Sequence, residues 1–255
     1  MARVIVVTSG KGGVGKTSIS SLLGRYLAKN GEKVALIDAD LGLKNLDVVL
    51  GFESRVIYDL EDIIKGRATI KQALVQDKVC PLLYLLPASL RIEVTDVNEN
   101  YMTSIINQLQ IDFDYIIIDS PAGIEKGFFN AIKNAKEALV VLTLDKTSLR
   151  DADKVIGLLK NNQINNIKII INRYNKRDES QLSIDEVERI MDMPIIAKIP
   201  ESKDIKSEQN YGLLITNNSD VDIAFKNLAN KVLGKEEVIS KPTFMSRIIK
   251  TLSKS

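Results

Sequence analysis

Short apolar runs recur along the chain, and each is hydrophobic at nearly every position rather than at alternate positions. The runs are Val4–Val7, Val34–Ile37, Leu82–Leu86, Tyr115–Ile118, Leu139–Leu142, Ile167–Ile171 and Pro194–Ile199. Strands that are hydrophobic on both faces are typical of a parallel sheet covered on each side by helices. The pattern therefore predicts an α/β fold with a doubly wound, mostly parallel sheet and helices on both faces.

Segments between several of these runs carry apolar residues at helical spacing. They include Ile63–Leu74, Met102–Leu109 and Asp151–Leu159. The alternation of such segments with strands is expected for helices that cover a parallel sheet. Because ligands in these folds bind beyond the carboxyl ends of the strands, functional residues are expected there.

The first strand leads into a glycine-rich loop, residues 10–17, with the sequence Gly-Lys-Gly-Gly-Val-Gly-Lys-Thr. It matches the phosphate-binding pattern G-x-x-x-x-G-K-[ST] between a strand and a helix, and this predicts a P-loop nucleotide-binding protein. Lys16 is expected to contact the β- and γ-phosphates, and the Thr17 hydroxyl to ligate Mg²⁺. The expected nucleotide contacts in this segment are Gly10, Lys11, Gly12, Gly13, Val14, Gly15, Lys16, Thr17 and Ser18.

Two further strands end in carboxylates. The second strand is followed by Asp38 and Asp40, and the strand at residues 115–118 is followed by Asp119. An acid at such a position contacts Mg²⁺ or its water shell in many P-loop proteins, whereas the alternative is a capping or loop aspartate. The metal role is favoured for Asp119 and Asp40, and both alternatives stay open for Asp38.

The strand at Ile167–Ile171 ends in Asn172. A side-chain amide both donates and accepts hydrogen bonds, which suits the edge of an adenine base. Asparagine is also common at the ends of strands for purely structural reasons. Both readings of Asn172 stay open on the residue alone.

The composition excludes several kinds of catalytic and metal-binding site. The chain has 255 residues, no histidine, one cysteine (Cys80) and a formal net charge of +2. Histidine bases, histidine metal ligands, internal disulfides and four-cysteine metal sites are therefore excluded. The near-neutral charge does not favour a nucleic-acid-binding protein. With no signal peptide before the first strand and no bilayer-spanning run, a cytoplasmic location is expected.

The end of the sequence is basic and apolar. Residues 234–243 are polar and contain Pro242, which predicts a linker between a domain at 1–233 and a tail at 244–255. On a helix of about 100° per residue, the apolar side chains of the tail share one arc of about 140°, and its cations lie opposite. The apolar residues are Phe244, Met245, Ile248, Ile249 and Leu252, and the basic residues are Arg247, Lys250 and Lys254. This pattern predicts an amphipathic helix that binds a membrane surface, and packing on the protein's own core is the alternative.

Several segments together resemble the MinD branch of the ParA/MinD family of deviant Walker A ATPases. The likeness rests on Lys11 in the loop, on Asp38–Asp47, on Asp119–Glu125 and on the tail, and it covers nearly the whole chain. The loop alone identifies the wider family. The Leu-Lys-Asn-Leu-Asp stretch at 43–47 and the tail are what point to the MinD branch.

The resemblance implies an ATPase that cycles on and off the membrane and helps to place the bacterial division site. It implies ATP and Mg²⁺ as cofactors, bound at the interface of a homodimer. Lys11 would reach the phosphates of the partner subunit, while Lys16 serves those of its own. Asp40 would position the attacking water near Mg²⁺.

The resemblance also implies that Asn172, Pro200 and Glu201 frame the adenine. The expected partners are a MinC-like division inhibitor, a MinE-like activator and an anionic membrane, with no nucleic acid. The location would then be the inner face of the cell membrane in the ATP-bound state. The alternatives are a ParA-like DNA-partitioning ATPase, which would bind DNA through a basic face, and a MinD-like regulator of flagella or cell poles.

Overall fold

The computed structural model describes residues 1–41, 45–89, 100–203, 205 and 219–237. Its strands are β1 (Arg3–Thr8), β2 (Val34–Asp38), β3 (Val75–Gln76), β4 (Leu83–Leu86), β5 (Tyr115–Asp119), β6 (Glu137–Leu142), β7 (Asn166–Tyr174) and β8 (Ile195–Pro200). Its helices are α1 (Lys16–Lys29), α2 (Leu46–Leu50), α3 (Leu60–Ile64), α4 (Ile70–Ala73), α5 (Tyr101–Asp112), α6 (Lys126–Ile132), α7 (Lys146–Asn161), α8 (Ile184–Met191) and α9 (Asp220–Leu233). A 3₁₀ turn covers Glu53–Arg55.

The strands form one sheet in the order β3-β4-β2-β5-β1-β6-β7-β8. All neighbours are parallel except β3, which pairs antiparallel with β4. The prediction of a doubly wound, mostly parallel sheet is therefore confirmed. In the register of the sheet, Asp38 of β2 lies opposite Asp119 of β5, and Asp119 lies opposite Val7 of β1. The ends of β1, β2 and β5 thus meet at one edge of the sheet.

The sheet carries a hydrophobic core on each face. On one face α1, α2 and α9 pack through buried residues such as Leu23, Leu46 and Phe225. On the other face α5, α6 and α7 pack through residues such as Met102 and Phe128. Both faces of the central strands are buried, which explains why their sequences are continuously apolar.

The prediction of one continuous helical stretch over Ile63–Leu74 was wrong. The chain leaves α3 at Lys65, and Gly66 follows with a φ of +68°. A second helix, α4, then begins at a capping box in which Thr69 and Gln72 bind each other's backbone N–H groups. The helix-breaking glycine and the new N-terminal cap together divide the segment in two. The short strand β3 was also not predicted.

The other predicted elements lie within the observed ones, which extend further at one or both ends. Two predicted strands start one residue too early, because β4 begins after Leu82 and β8 begins after Pro194. Helix α9 ends at Leu233, and Gly234 caps it with a φ of +71°. The predicted linker 234–243 is described only as far as residue 237, and the predicted membrane helix 244–255 lies outside the described residues. No helix in the described ranges is both long and apolar enough to cross a membrane.

Candidate nucleotide-binding site

The glycine-rich loop joins β1 to the N-terminus of α1. Gly13 and Gly15 adopt φ values of +75° and +99°, a left-handed conformation that residues with a Cβ atom seldom adopt. Lys16 begins α1 with its side chain folded back, and its Nζ atom donates a hydrogen bond of 3.1 Å to Ser9 Oγ. Lys16 is only 8 % exposed. The loop therefore has the curvature, and the inward lysine, that a phosphate site needs.

Asp119 binds the first turn of α1. Its carboxylate accepts hydrogen bonds from Thr17 Oγ1 at 2.8 Å and from Ser20 Oγ at 2.9 Å. Burial raises the pKa of Asp119 to about 6, although these hydroxyl donors and Lys16 oppose the rise. A hydroxyl and a carboxylate beside a phosphate loop are the protein groups that Mg²⁺ uses when nucleotide phosphates supply its other ligands. Thr17 and Asp119 thus fit the predicted ion.

Asp38, at the end of β2, binds backbone N–H groups both just after β2 and at the start of α2. Its carboxylate accepts hydrogen bonds from the backbone N–H groups of Asp40, Asn45 and Leu46 at 3.0–3.1 Å. Burial, followed by the nearby charge of Asp119, raises the pKa of Asp38 to about 7. These contacts favour the alternative of a loop aspartate for Asp38, which binds the N–H groups of Asp40 after β2 and of Asn45 and Leu46 at the start of α2.

Asp40 is half-buried beside the lysine of the loop. Burial raises its pKa, and the positive charge of Lys16 opposes that rise. In turn, burial lowers the pKa of Lys16, while the charges of Asp119 and Asp40 oppose the decrease. The fold therefore brings Lys16, Asp40 and Asp119 within electrostatic range of one another. A carboxylate placed in this way can accept a hydrogen bond from a water molecule next to a γ-phosphate.

Lys11, the second lysine of the loop, contacts helix α7 of its own chain. Its Nζ atom donates to Thr147 Oγ1 at 3.2 Å and lies 3.5 Å from Asp145 Oδ1. Asp145 also caps α7 by accepting the N–H of Ser148. Burial by itself would raise the pKa of Asp145, but hydrogen bonds from Thr143, Thr147 and Ser148 lower it to about 2. Because the Lys11 side chain is 45 % exposed, this is a surface contact.

A cavity of about 200 Å³ opens beside the loop. Its lining residues include Gly15, Ser18, Asn172, Pro200 and Glu201. The structure thus brings the three residues expected around adenine next to the loop. In addition, Asn172 Nδ2 donates a hydrogen bond of 2.7 Å to the carbonyl oxygen of Val14.

Several residues of the site were not found by sequence reasoning. They are Ser9, Ser20, Asp145, Thr147 and Arg173, whose guanidinium Nη2 donates to the Gly13 carbonyl at 2.9 Å. Ser9 and Ser20 lie close to the loop in sequence, but nothing in their spacing marks them. Asp145 and Thr147 come to the loop only through the pairing of β1 with β6. For Arg173, the one feature of the sequence that could have indicated a place in the site is its position directly after Asn172.

Comparison with known proteins places this geometry in a family. Residues 5–215 match the family described as the CobQ/CobB/MinD/ParA nucleotide binding domain. The septum site-determining protein MinD of Thermotoga maritima is 48 % identical over 243 residues, covering 92 % of this chain and 89 % of that protein.

Two solved structures of MinD proteins are also similar to this chain. The MinC:MinD cell division protein complex of Aquifex aeolicus has a chain that is 40 % identical, with a TM-score of 0.86 and coverage of 94 % of this chain and 99 % of that one. The septum site-determining protein MinD of Pyrococcus horikoshii, complexed with Mg-ADP, is 32 % identical with a TM-score of 0.83. The match covers 91 % of this chain and 96 % of that one.

Proposed function

The chain belongs to the MinD family of septum site-determining nucleotide-binding ATPases, and we propose that it is an Mg²⁺-dependent ATPase that dimerises with ATP and cycles on and off the membrane. In the ATP-bound form it recruits a division inhibitor to the membrane and so helps to place the division site. The observation that carries the proposal is the pair of lysines in one loop. Lys16 is buried at the phosphate site, whereas Lys11 is exposed on the rim.

The buried groups supply nucleotide binding and turnover. ATP provides the phosphoryl group, and Mg²⁺ neutralises charge on its phosphates. Lys16 and the N–H groups of the loop would hold the phosphates, and Thr17 and Asp119 would hold the metal. Asp40 orients the attacking water. Hydrolysis by this route depends on positioning and on positive charge rather than on a strong base, so a protein without histidine can perform it.

The exposed lysine makes turnover depend on dimerisation. To reach the phosphates of a second subunit, Lys11 must leave Asp145 and Thr147 of its own chain. An exposed ion pair of this kind contributes about 0–1 kcal/mol, so its loss is a small cost beside the gain from a γ-phosphate contact. Lys11 in trans thus couples hydrolysis to assembly of the dimer.

The tail couples the dimer to the membrane. Three cations near an anionic leaflet contribute about 1 kcal/mol each, and a short apolar face adds a few more against the cost of forming the helix. One tail therefore binds weakly. Two tails on one dimer bind far better, because the second binding event has a high effective concentration. Dimerisation by ATP would then recruit the protein to the inner face of the cell membrane, and hydrolysis would release it.

The partner set follows from the family. The Aquifex aeolicus relative was solved as a MinC:MinD complex, which supports a MinC-like inhibitor as the partner of this chain. A MinE-like activator that stimulates release would complete the cycle.

The experiment is co-sedimentation of the full chain with anionic liposomes in the presence of ATP or ADP, together with phosphate release. We expect the protein to pellet with ATP but not with ADP, and the liposomes to stimulate hydrolysis. Removal of residues 244–255 should abolish pelleting and leave the dimer intact.

Two point variants form a matched pair. Ile249→Glu places a charge on the apolar arc, whereas Ser246→Glu places the same charge at about 200° from Phe244, outside that arc. We expect the first to lose much more binding than the second. The membrane proposal is wrong if the truncated protein still co-sediments with liposomes, or if the full chain co-sediments with duplex DNA instead.

A further inference from the structure

We propose that Asn172 and Arg173 form a brace for the phosphate loop, acting as positioning residues that turn two of its backbone N–H groups toward the phosphates. The proposal rests on the nucleotide function proposed above and gives these two side chains a role in it. It differs from recognition of the base, because the brace acts on the polyphosphate through the loop backbone.

The brace consists of two hydrogen bonds to consecutive carbonyls. Arg173 Nη2 donates to the oxygen of Gly13 at 2.9 Å, and Asn172 Nδ2 donates to the oxygen of Val14 at 2.7 Å. Both donors come from the end of β7, and both acceptors belong to the loop between β1 and α1. Two adjacent side chains therefore fix two adjacent peptide groups.

Because the peptide group is planar, these two contacts also fix the direction of two backbone N–H donors in the loop. In a trans peptide the C=O of one residue and the N–H of the next point in opposite directions. When the carbonyls of Gly13 and Val14 are held toward β7, the N–H groups of Val14 and Gly15 must point away from it. Phosphate loops bind their ligand through N–H groups turned into the concave side of the loop.

The backbone at the end of β7 is distorted in the way that such a role requires. The register between β7 and β8 shifts between Ile171 and Tyr174, so that Asn172 and Arg173 lie in an irregular step of the ladder. Arg173 has a φ of +55°, which is strained for a residue with a long side chain. Bulges commonly redirect side chains beside functional sites. Gln181 Nε2 donates to the Arg173 carbonyl at 3.0 Å and supports this conformation.

The fit between brace and loop is close. A Cβ atom added to Gly15 would lie 2.3 Å from Asn172 Nδ2. The last glycine of the loop is therefore needed for its φ of +99° and also for the approach of this amide. Such an approach is expected if the strand end supports the loop directly.

The test compares Arg173→Gly with Arg173→Lys and with a control, Gln163→Gly. Glycine at 173 removes the guanidinium and also the backbone strain, whereas lysine keeps a cationic donor. Gln163 is another non-glycine residue in the left-handed region, with a φ of +64°, but it lies at the end of α7. Its replacement therefore reports relief of strain alone.

Two quantities are measured on the full chain: the Kd for Mg-ADP by calorimetry, and the amide proton shifts of Val14 and Gly15 at saturating Mg-ADP by NMR. For Arg173→Gly we expect a Kd about 10-fold weaker, smaller ADP-induced shifts at both amides, and no fall in Tm without nucleotide. Arg173→Lys should recover most of the affinity. Gln163→Gly should leave the Kd and both shifts unchanged.

Three results would contradict the brace. An unchanged Kd with unchanged shifts would mean that Arg173 does not act on the loop. A weaker Kd with unchanged Val14 and Gly15 shifts would mean that Arg173 acts on the nucleotide directly. A fall in Tm with no effect on Mg-ADP would leave only a structural role. If the wild-type protein itself does not bind Mg-ADP, the proposed function fails, which is a distinct outcome.

Discussion

Gly10→Ala is expected to displace the phosphate loop, because no space exists at this position for a single methyl group. An ideal Cβ on Gly10 would lie 2.2 Å from the backbone oxygen of Asp151 in α7 and 2.3 Å from its carbonyl carbon. These are backbone atoms of a helix, so they cannot move aside as the end of a flexible side chain would. Gly10 is required for this approach of loop to helix and not for an unusual φ.

The size of the effect follows from those distances. Non-bonded carbon atoms are in contact at roughly 3.5–4.0 Å, so the loop and α7 must separate by more than about 1 Å. Overpacking of this kind costs about 1–3 kcal/mol, and about 2 kcal/mol corresponds to a decrease in Tm of about 4–8 °C for a chain of this size. A displacement of about 1 Å at a reacting centre also costs about 100-fold in rate.

The assay is thermal unfolding without nucleotide, followed by the steady-state rate of phosphate release. Gly12→Ala in the same loop is the matched control. Its added Cβ would meet only the Cβ of Ala122, at 3.8 Å, which is ordinary contact. We expect Gly12→Ala to leave the Tm unchanged or slightly higher, since alanine lowers the entropy of the unfolded chain. Equal Tm values for the two variants would refute the argument from loop–helix contact.

Two other substitutions test the acids at the strand ends. Asp40→Ala should bind ATP and still dimerise but lose about 100-fold or more in phosphate release, because it lacks the group that orients water; a normal rate would remove Asp40 from the mechanism. Asp38→Ala leaves the N–H groups of Asp40, Asn45 and Leu46 without their acceptor. It should lower the free energy of unfolding by about 1–3 kcal/mol in urea titrations, and an unchanged midpoint would show that the segment after β2 does not depend on this carboxylate.

The sheet and the loop could be predicted from sequence because each depends on local pattern. Continuous apolar runs such as Val4–Val7 follow from burial on both faces, and a strand, a glycine-rich loop and a helix in order define the phosphate site. The failure at Ile63–Leu74 has a local cause as well. Apolar spacing continued through that segment, whereas Gly66 and the capping box at Thr69 divided it.

The parts that could not be predicted depend on contacts between distant segments. The spacing that singled out Asp38 and Asp40 could not separate their roles, since only the fold shows that Asp38 binds three backbone N–H groups. Lys11 was recognised from the loop, but its contact with Thr147 joins residues 136 positions apart. Arg173 was missed because neither its φ of +55° nor its contact with Gly13 has a signature in residue type.

The mass of the protein in solution shows whether ATP controls a dimer through Lys11. Multi-angle light scattering with Mg-ATP should show the 28.3 kDa chain at about twice its monomer mass, and with Mg-ADP at the monomer mass. Lys11→Ala should remain a monomer with Mg-ATP although it still binds nucleotide, whereas Lys71→Ala, at an exposed lysine of α4, should dimerise normally. A normal ATP-dependent dimer of Lys11→Ala would show that Lys11 does not control assembly.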